Sequence, residues 1–316
     1  MREENAVAFP ELASVDAIDR GFEQHGYICN PRIATTVYLA ARLGKPVLVE
    51  GPPGVGKTEL AKTSALLLSR PLLRLQCYEG LDEAKALYEW KYSKQLLYTQ
   101  ILREKLGDLL QGAHDLAESV QRLHDYGDIF YSEQFLEPRP LLAALREERG
   151  VVLLIDEVDK ADFEFESLLL ELLSDFQVSI PEIGTIRARA RPLVFLTSNN
   201  HRDLSDALKR RCLHLHIPFP DLALEERIVR SRVPEVDARL RSQLVRFVHA
   251  LRELDLRKAP AISETIDWAR SLLLLHADLL DAELVDNSLN VLLKYEQDLE
   301  AARAALPTLL KTAATS

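Results

Sequence analysis

The sequence predicts an α/β protein: a parallel sheet between two layers of helices over residues 1–220, then an all-α domain over residues 221–316. Three observations carry this reading. Short apolar runs at residues 46–50, 72–76, 151–155, 193–197 and 213–217 alternate with stretches of helical period. The run Val151-Val152-Leu153-Leu154-Ile155 is apolar throughout, as a strand buried on both faces of a parallel sheet must be. After Pro218-Phe219-Pro220 neither a strand pattern nor a glycine occurs up to Ser316.

Residues 14–43 have helical period, and the Asn30-Pro31 step divides them into two helices, because the residue before a proline is pushed out of the α region. A strand over 46–50 and a helix over 59–68 flank a glycine-rich loop, and a strand over 72–76 follows. Tyr88-Glu89-Trp90-Lys91-Tyr92 alternates aromatic and charged residues with period two, which predicts a strand or hairpin. Helical period returns over 96–123, an aromatic-rich loop over 126–135, and a helix over 163–176. Residues 178–186 read as a hairpin turning near Gly184, and the end of the chain, Lys311 to Ser316, reads as frayed.

The chain has 316 residues, 47% of them hydrophobic, enough to bury a large core. A formal net charge of −10 argues against a protein that coats nucleic acid. Cys29, Cys77 and Cys212 are scattered without a C-x-x-C pair, which fits a reducing cytosol rather than a disulfide or zinc framework. No apolar segment follows a basic start and no run is long enough to span a bilayer, so a cytoplasmic protein is expected.

Chemistry is concentrated in four places. Gly51-Pro52-Pro53-Gly54-Val55-Gly56-Lys57-Thr58 spells a phosphate-binding loop between a strand and a helix. Its glycines let backbone N–H groups turn inward around a phosphate. Lys57 supplies a point charge to the β- and γ-phosphates, and the Thr58 hydroxyl suits Mg2+. ATP or GTP is the expected ligand. Asp156-Glu157 closes the most apolar strand, which puts both carboxylates beside the phosphates. Asp156 suits Mg2+, and Glu157 suits a general base that deprotonates the attacking water. Asp159 continues the acidic run and reads as solvated. Thr197-Ser198-Asn199-Asn200 closes the next strand, where a neutral amide can hydrogen-bond both the γ-phosphate and the lytic water; Asn199 is the nearer of the two. Arg210 and Arg211 end a short helix and read either as surface ion pairs or as an arginine finger that neutralises charge on a transferring phosphoryl group.

In this order and spacing the four elements resemble the AAA+ ATPases. Residues 51–58 match Walker A, 151–157 Walker B, Asn199 sensor 1, and Arg211 the arginine finger with Arg210 beside it. The run from Glu50 through Glu59 to Ala61, the Tyr88–Tyr92 alternation and the 178–191 hairpin are similar to the MoxR family. Gln76-Cys77-Tyr78-Glu79-Gly80 and Leu172-Leu173-Ser174-Asp175-Phe176 look like its CoxD branch, whose members act in carbon monoxide dehydrogenase maturation. The resemblance implies a P-loop αβα core with an α-helical lid. ATP and Mg2+ would be its ligands, with Gly51 to Glu59 contacting the nucleotide. It also implies an oligomeric ring, expected to be hexameric, that remodels a client. A von Willebrand A domain partner and a molybdenum-containing metalloenzyme client come with it. One departure stands out: where the lid of this superfamily carries a sensor 2 arginine, Ala259-Pro260-Ala261-Ile262-Ser263-Glu264-Thr265 offers Ser263, and Arg270 lies two turns further on.

Two rival functions remain open on sequence alone: a nucleotide-gated binding module and a DNA-acting AAA+ protein. Tyr27 is an adenine-contacting candidate by position. His214 and His216 share one strand face and read as packed or solvent-facing rather than as metal ligands. Arg187, Arg189 and Arg191 would share a face of the hairpin's return strand, read first as a charged edge that resists aggregation. Tyr88, Trp90 and Tyr92 read equally as core or as a surface for a client.

Overall fold

A computed structural model describes residue 9, residues 11–98, residue 100, and residues 135–180 and 183–314. Among these residues the strands are β1 (Val47–Glu50), β2 (Leu72–Gln76), β3 (Tyr88–Trp90), β4 (Leu136–Pro138), β5 (Val152–Asp156), β6 (Gln177–Ile180), β7 (Gly184–Arg187), β8 (Leu193–Ser198) and β9 (Leu213–His216). Five of them form one parallel sheet in the order β2-β5-β8-β1-β9.

Burial on both faces explains the continuous apolar text of the central strands. All five residues of β5 and all six of β8 are buried. Alternate side chains enter opposite layers: Leu153 and Ile155 join the core under the Phe163–Asp175 helix, while Val152 and Leu154 join the core with Phe22, Val37 and Leu60. Polar caps start the helices where the text places them. Asn30 Oδ1 accepts from the Ile33 N–H at 3.0 Å ahead of Pro31–Leu43, and Asp162 Oδ1 accepts from Phe165 N–H at 2.9 Å ahead of Phe163–Asp175.

Several expectations need correction. The Tyr88 strand is real but ends at Trp90, and its antiparallel partner β4 lies far along the chain, with Trp90 opposite Leu136; Tyr92 is helical. The expected helix over 96–123 and the aromatic loop over 126–135 fall almost wholly outside the described residues. The expected hairpin is present, with Gly184 opposite Ile180 at the reversal and opening the return strand, β7. That strand stops at Arg187, so Arg189 and Arg191 do not alternate along it. Arg189 instead pairs with Glu148 at 2.6 Å, and Arg191 lies over the Phe176 ring. Residues 311–314 are not frayed, because Ala313 is buried against the last core and holds the helix to Ala314.

Beyond Pro220 the chain is helical: Leu222–Arg232, Ala238–Arg252, Ile262–Leu274, Ala282–Leu292 and Glu296–Ala314. These helices share their own core, centred on Phe247, Trp268 and Leu289. A buried charge cluster fixes their entry. Glu225 is fully buried and accepts two bonds from Arg252, at 2.6 and 2.8 Å. His249 and Thr265 each lie 2.8 Å from the same carboxylate. Arg252 also donates to the Pro260 carbonyl at 2.8 Å, so the cluster sets where the Ile262–Leu274 helix begins. That beginning matters, because it abuts the phosphate-binding loop.

Candidate active site

The loop over residues 51–58 joins β1 to the Lys57–Leu67 helix, and steric demands explain two of its glycines. A Cβ on Gly51 would lie 2.1 Å from the Ile217 carbonyl oxygen, so only glycine lets β1 leave the sheet beside β9. Gly54 has φ of +75°, and a Cβ there would lie 2.4 Å from Ala261 Cβ and 2.7 Å from Ser263 Oγ. The loop therefore touches the helical region directly. Pro53 lines the cavity under the loop, and Val55 is buried.

Lys57 is the hub of the site. Its ammonium donates to the carbonyls of Gly51 at 2.6 Å and Pro52 at 2.8 Å, and to Asn199 Oδ1 at 2.7 Å. Burial draws its pKa below the ordinary lysine value, opposed by the nearby carboxylates of Asp159, Asp156 and Glu157. The other end of the Asn199 amide donates to Glu157 Oε1 at 3.3 Å. One amide thus links the loop lysine to the strand-end carboxylate.

Asp156 is almost fully buried and accepts a hydrogen bond from Thr197 Oγ1. Thr58 Oγ1 lies 3.2 Å and 3.3 Å from its two oxygens. Arg74, from β2, donates to Asp156 Oδ2 from Nε at 3.0 Å and from Nη2 at 2.6 Å. Glu157 takes a left-handed conformation with φ of 56°, which a residue other than glycine adopts only when its surroundings enforce it. Its backbone N–H donates to Thr197 Oγ1 at 2.9 Å, and its carboxylate is held by Gln76 Nε2 at 2.8 Å and Lys160 Nζ at 2.7 Å.

Asp159 is not a solvated loop residue. It is buried, and Oδ2 accepts the N–H groups of Asn199 at 3.0 Å and His201 at 2.8 Å, which anchors the turn that presents Asn199. Its Oδ1 is buried with no hydrogen-bond partner among the described residues.

Two neighbouring cavities open here. A narrow one of about 320 Å³ is lined by Lys57, Thr58, Arg74, Asp156, Glu157 and Asn199. A wider one of about 640 Å³ is lined by Tyr27, Ile33, Val55, Phe219, Ile228 and Ile266, an apolar slot beside the loop. Gly54, Gly56, Glu59 and Ser263 line both. The pair has the size and polarity of a site for a flat apolar ring joined to a charged tail. Tyr27 lines the wider cavity, its phenol pKa pushed up by burial. Ser263 faces the loop, and Arg270 reaches the wall of the wider cavity, where it pairs with Asp267. Glu59 pairs at 2.6 Å with Arg232 of the first helix beyond residue 220.

Arg210 and Arg211 line neither cavity. Arg211 is held within its own chain, donating to Ser174 Oγ at 2.7 Å and to the Ala207 carbonyl at 3.1 Å, while Arg210 is exposed. His214 and His216 are both exposed, with His214 Nε2 2.5 Å from Glu50. The three cysteines are free and buried, their thiols pushed up to about 12, chiefly by burial.

A family model for the AAA domain (dynein-related subfamily) matches residues 46–212, more than half of the chain. The chain belongs to that AAA family. The AAA+ assignment expected from the four motifs is borne out, and nucleotide binding goes with it. Among curated proteins, the chain is 26% identical over 229 residues to the denitrification regulatory protein NirQ of Stutzerimonas stutzeri, covering 70% of this chain and 69% of NirQ. It is also 26% identical over 223 residues to the gas vesicle ATPase GvpN of Haloferax mediterranei, covering 67% of this chain but only 57% of GvpN. A solved structure of the Thermotoga maritima RuvB Holliday junction branch migration motor aligns with 89% of this chain and 74% of its own, at 19% identity and a TM-score of 0.47.

Within this AAA site the sequence reading missed Arg74, Gln76 and Thr197. Arg74 and Gln76 alternate along β2 and point to the same cluster of carboxylates, and a charged residue inside a short apolar strand is the signal that could have found them. Among the described residues, no helix is long and apolar enough to cross a membrane.

Proposed function

We propose that the protein is an ATP hydrolase of the MoxR type, working as an oligomeric, hexameric ring in the cytoplasm to remodel or activate a client protein. The observation that carries the hydrolase reading is the hydrogen-bonded line Lys57–Asn199–Glu157 beside the Thr58–Asp156 pair, at the carboxyl ends of neighbouring parallel strands. In this reading residues 1–220 form the nucleotide-binding domain and residues 221–316 the lid. Loop N–H groups and Lys57 bind the phosphates, and the apolar slot beside Tyr27 takes the base. Glu157 takes the proton of the attacking water, and Asn199 orients that water against the terminal phosphate.

The donor set fits Mg2+: two hard oxygen groups, Thr58 Oγ1 and Asp156, lie against each other at the cavity floor. Mg2+ takes one or two protein oxygen ligands and completes its shell with phosphates and water, which these two groups allow. When bound there, Mg2+ would neutralise charge on the phosphate oxygens.

The arginine finger is supplied by a neighbouring subunit, and Arg210 is the better candidate of the pair, because Arg211 is occupied by Ser174 and Ala207. The client reading, a molybdenum hydroxylase such as carbon monoxide dehydrogenase with a von Willebrand A domain partner, rests on family resemblance alone. The decisive experiment measures ATPase rate per subunit against protein concentration, with mass by light scattering. A rate that rises with assembly, is absent in Glu157→Gln and accompanies lost nucleotide binding in Lys57→Ala supports the reading. A constant rate from a monomer removes the shared site, and undiminished turnover in Glu157→Gln removes the proposed base.

A further inference from the structure

Asp156 already has a full cation, the Arg74 guanidinium, against the carboxylate assigned to Mg2+. Its carboxylate is almost fully buried, and a buried carboxylate needs a cation or several donors to stay ionised. Arg74 provides both, with Nε at 3.0 Å and Nη2 at 2.6 Å from the single oxygen Oδ2. Thr58 Oγ1 lies 3.3 Å from that same oxygen. The guanidinium therefore sits on an atom that a divalent ion shared by Thr58 and Asp156 would also use.

Arg74 is equipped to leave. Its side chain is 49% exposed, and it comes from β2, the edge strand of the sheet. Apart from Asp156, its other hydrogen-bond partner among the described residues is Gln76 Oε1, at 2.6 Å, on the same strand. Gln76 Nε2 in turn holds Glu157 Oε2 at 2.8 Å. Through this pair, whatever occupies Asp156 also bears on the carboxylate assigned as the base.

We propose that Arg74 is a built-in cation of the nucleotide site, which neutralises Asp156 while no divalent ion is present and competes with that ion for Oδ2 when the metal–nucleotide complex binds. This rests on the reading of the narrow cavity as a metal–nucleotide site. Competition makes a sign prediction that a purely stabilising ion pair would not. Removing the guanidinium should make the divalent ion bind more tightly, not less.

The probe is Mn2+, a paramagnetic ion that accepts the same oxygen ligands. It is titrated into full-length protein held in slight excess over a non-hydrolysable ATP analogue, and free Mn2+ is read by electron paramagnetic resonance. In Arg74→Gln the Mn2+ midpoint should fall roughly two- to fivefold, a range set by the half-exposed position of the side chain. Arg74→Lys keeps a charge but loses the fork, and should shift the midpoint the same way by less. It also carries the test if the glutamine variant fails to fold. An unchanged or raised midpoint in the folded variant overturns the proposal. Wild-type protein that binds no nucleotide at all would instead overturn the site reading beneath it, so the two failures are distinct.

Discussion

Replacing Glu225 with glutamine removes one negative charge from a point with no access to water, and the size of the effect follows from what is left behind. Arg252 is only 8% exposed and would keep its guanidinium without a counter-charge. Breaking a buried pair from one side costs about 3–5 kcal/mol. Three contacts soften the loss here: Arg252 keeps the Pro260 carbonyl at 2.8 Å, reaches Thr265 Oγ1 at 3.4 Å, and lies over the Phe219 ring. His249, at 25% exposure, can turn towards water. The lower end, about 3 kcal/mol, is therefore expected. The chain has two tryptophans, and Trp268 is fully buried in the helical core with its indole N–H on Ser288 at 2.8 Å. In a Trp90→Phe background, urea unfolding followed by Trp268 fluorescence reads the helical region directly. Burial pushes the Glu225 pKa up, but the hydrogen bonds from His249, Arg252 and Thr265 outweigh it, so the folded value lies below the ordinary one of about 4.5. Its contribution is thus present above that ordinary value and lost as pH falls through the folded value. The gap between wild type and Glu225→Gln should narrow as the pH drops below about 4.5. A neutral-pH loss under about 1 kcal/mol, or a gap that widens in acid, would refute the account of the cluster.

Other expectations are simpler. Gly51→Ala places a Cβ 2.1 Å from the Ile217 carbonyl, which is backbone and cannot swing aside, so β1 and β9 must part. Loss of nucleotide binding together with a lower melting temperature is expected by calorimetry, and a normally stable, normally binding variant would contradict the geometry. The three thiols should resist an aromatic disulfide reagent at pH 8 in the folded protein and all react in denaturant, because each is buried and pushed up to about 12. Arg232→Ala removes a 2.6 Å pair with Glu59 whose members are each about one-third exposed. Nucleotide affinity should fall by a factor of about two to five in a fluorescence titration, and rather less at high salt.

The parallel core was readable because its physics is local. A strand buried on both faces must be apolar at every position, and β5 is. The phosphate loop was readable because a glycine-rich turn between strand and helix has few other uses. What stayed hidden depends on pairings distant in sequence. β3 finds β4 across residues 91–135, which no period-two pattern can announce. The role of Asp159 depends on the turn at Asn199 and His201 arriving above it, so the text offers an acidic residue in a loop and cannot tell a solvated one from a backbone anchor. Arg189 and Arg191 were misread because β7 ends at Arg187, where ion pairing and ring stacking take over from alternation.

The charge arrangement gives the separate features one logic. Three carboxylates, Asp156, Glu157 and Asp159, are gathered where an anionic ligand would have to enter, an arrangement that by itself repels phosphate. Each is offset differently. Asp156 has Arg74, Glu157 has Lys160 and Gln76, and Asp159 has two backbone N–H groups, with Lys57 between them all. Of the two cations closest to Asp156, Arg74 has a long, half-exposed stem and can withdraw without dismantling the loop, whereas Lys57 is tied to two loop carbonyls. The same asymmetry reaches the helical region. Gly54 touches Ala261 and Ser263, and Glu59 pairs with Arg232, so any movement of the loop on binding phosphate is felt at two points of the helices beyond residue 220. The Glu225–Arg252 cluster ties Pro260 and Thr265 to the two helices before them. In the proposed ring, those ties would pass a change at the phosphates from Ala261 and Ser263 on to the helices that hold Glu225 and Arg252.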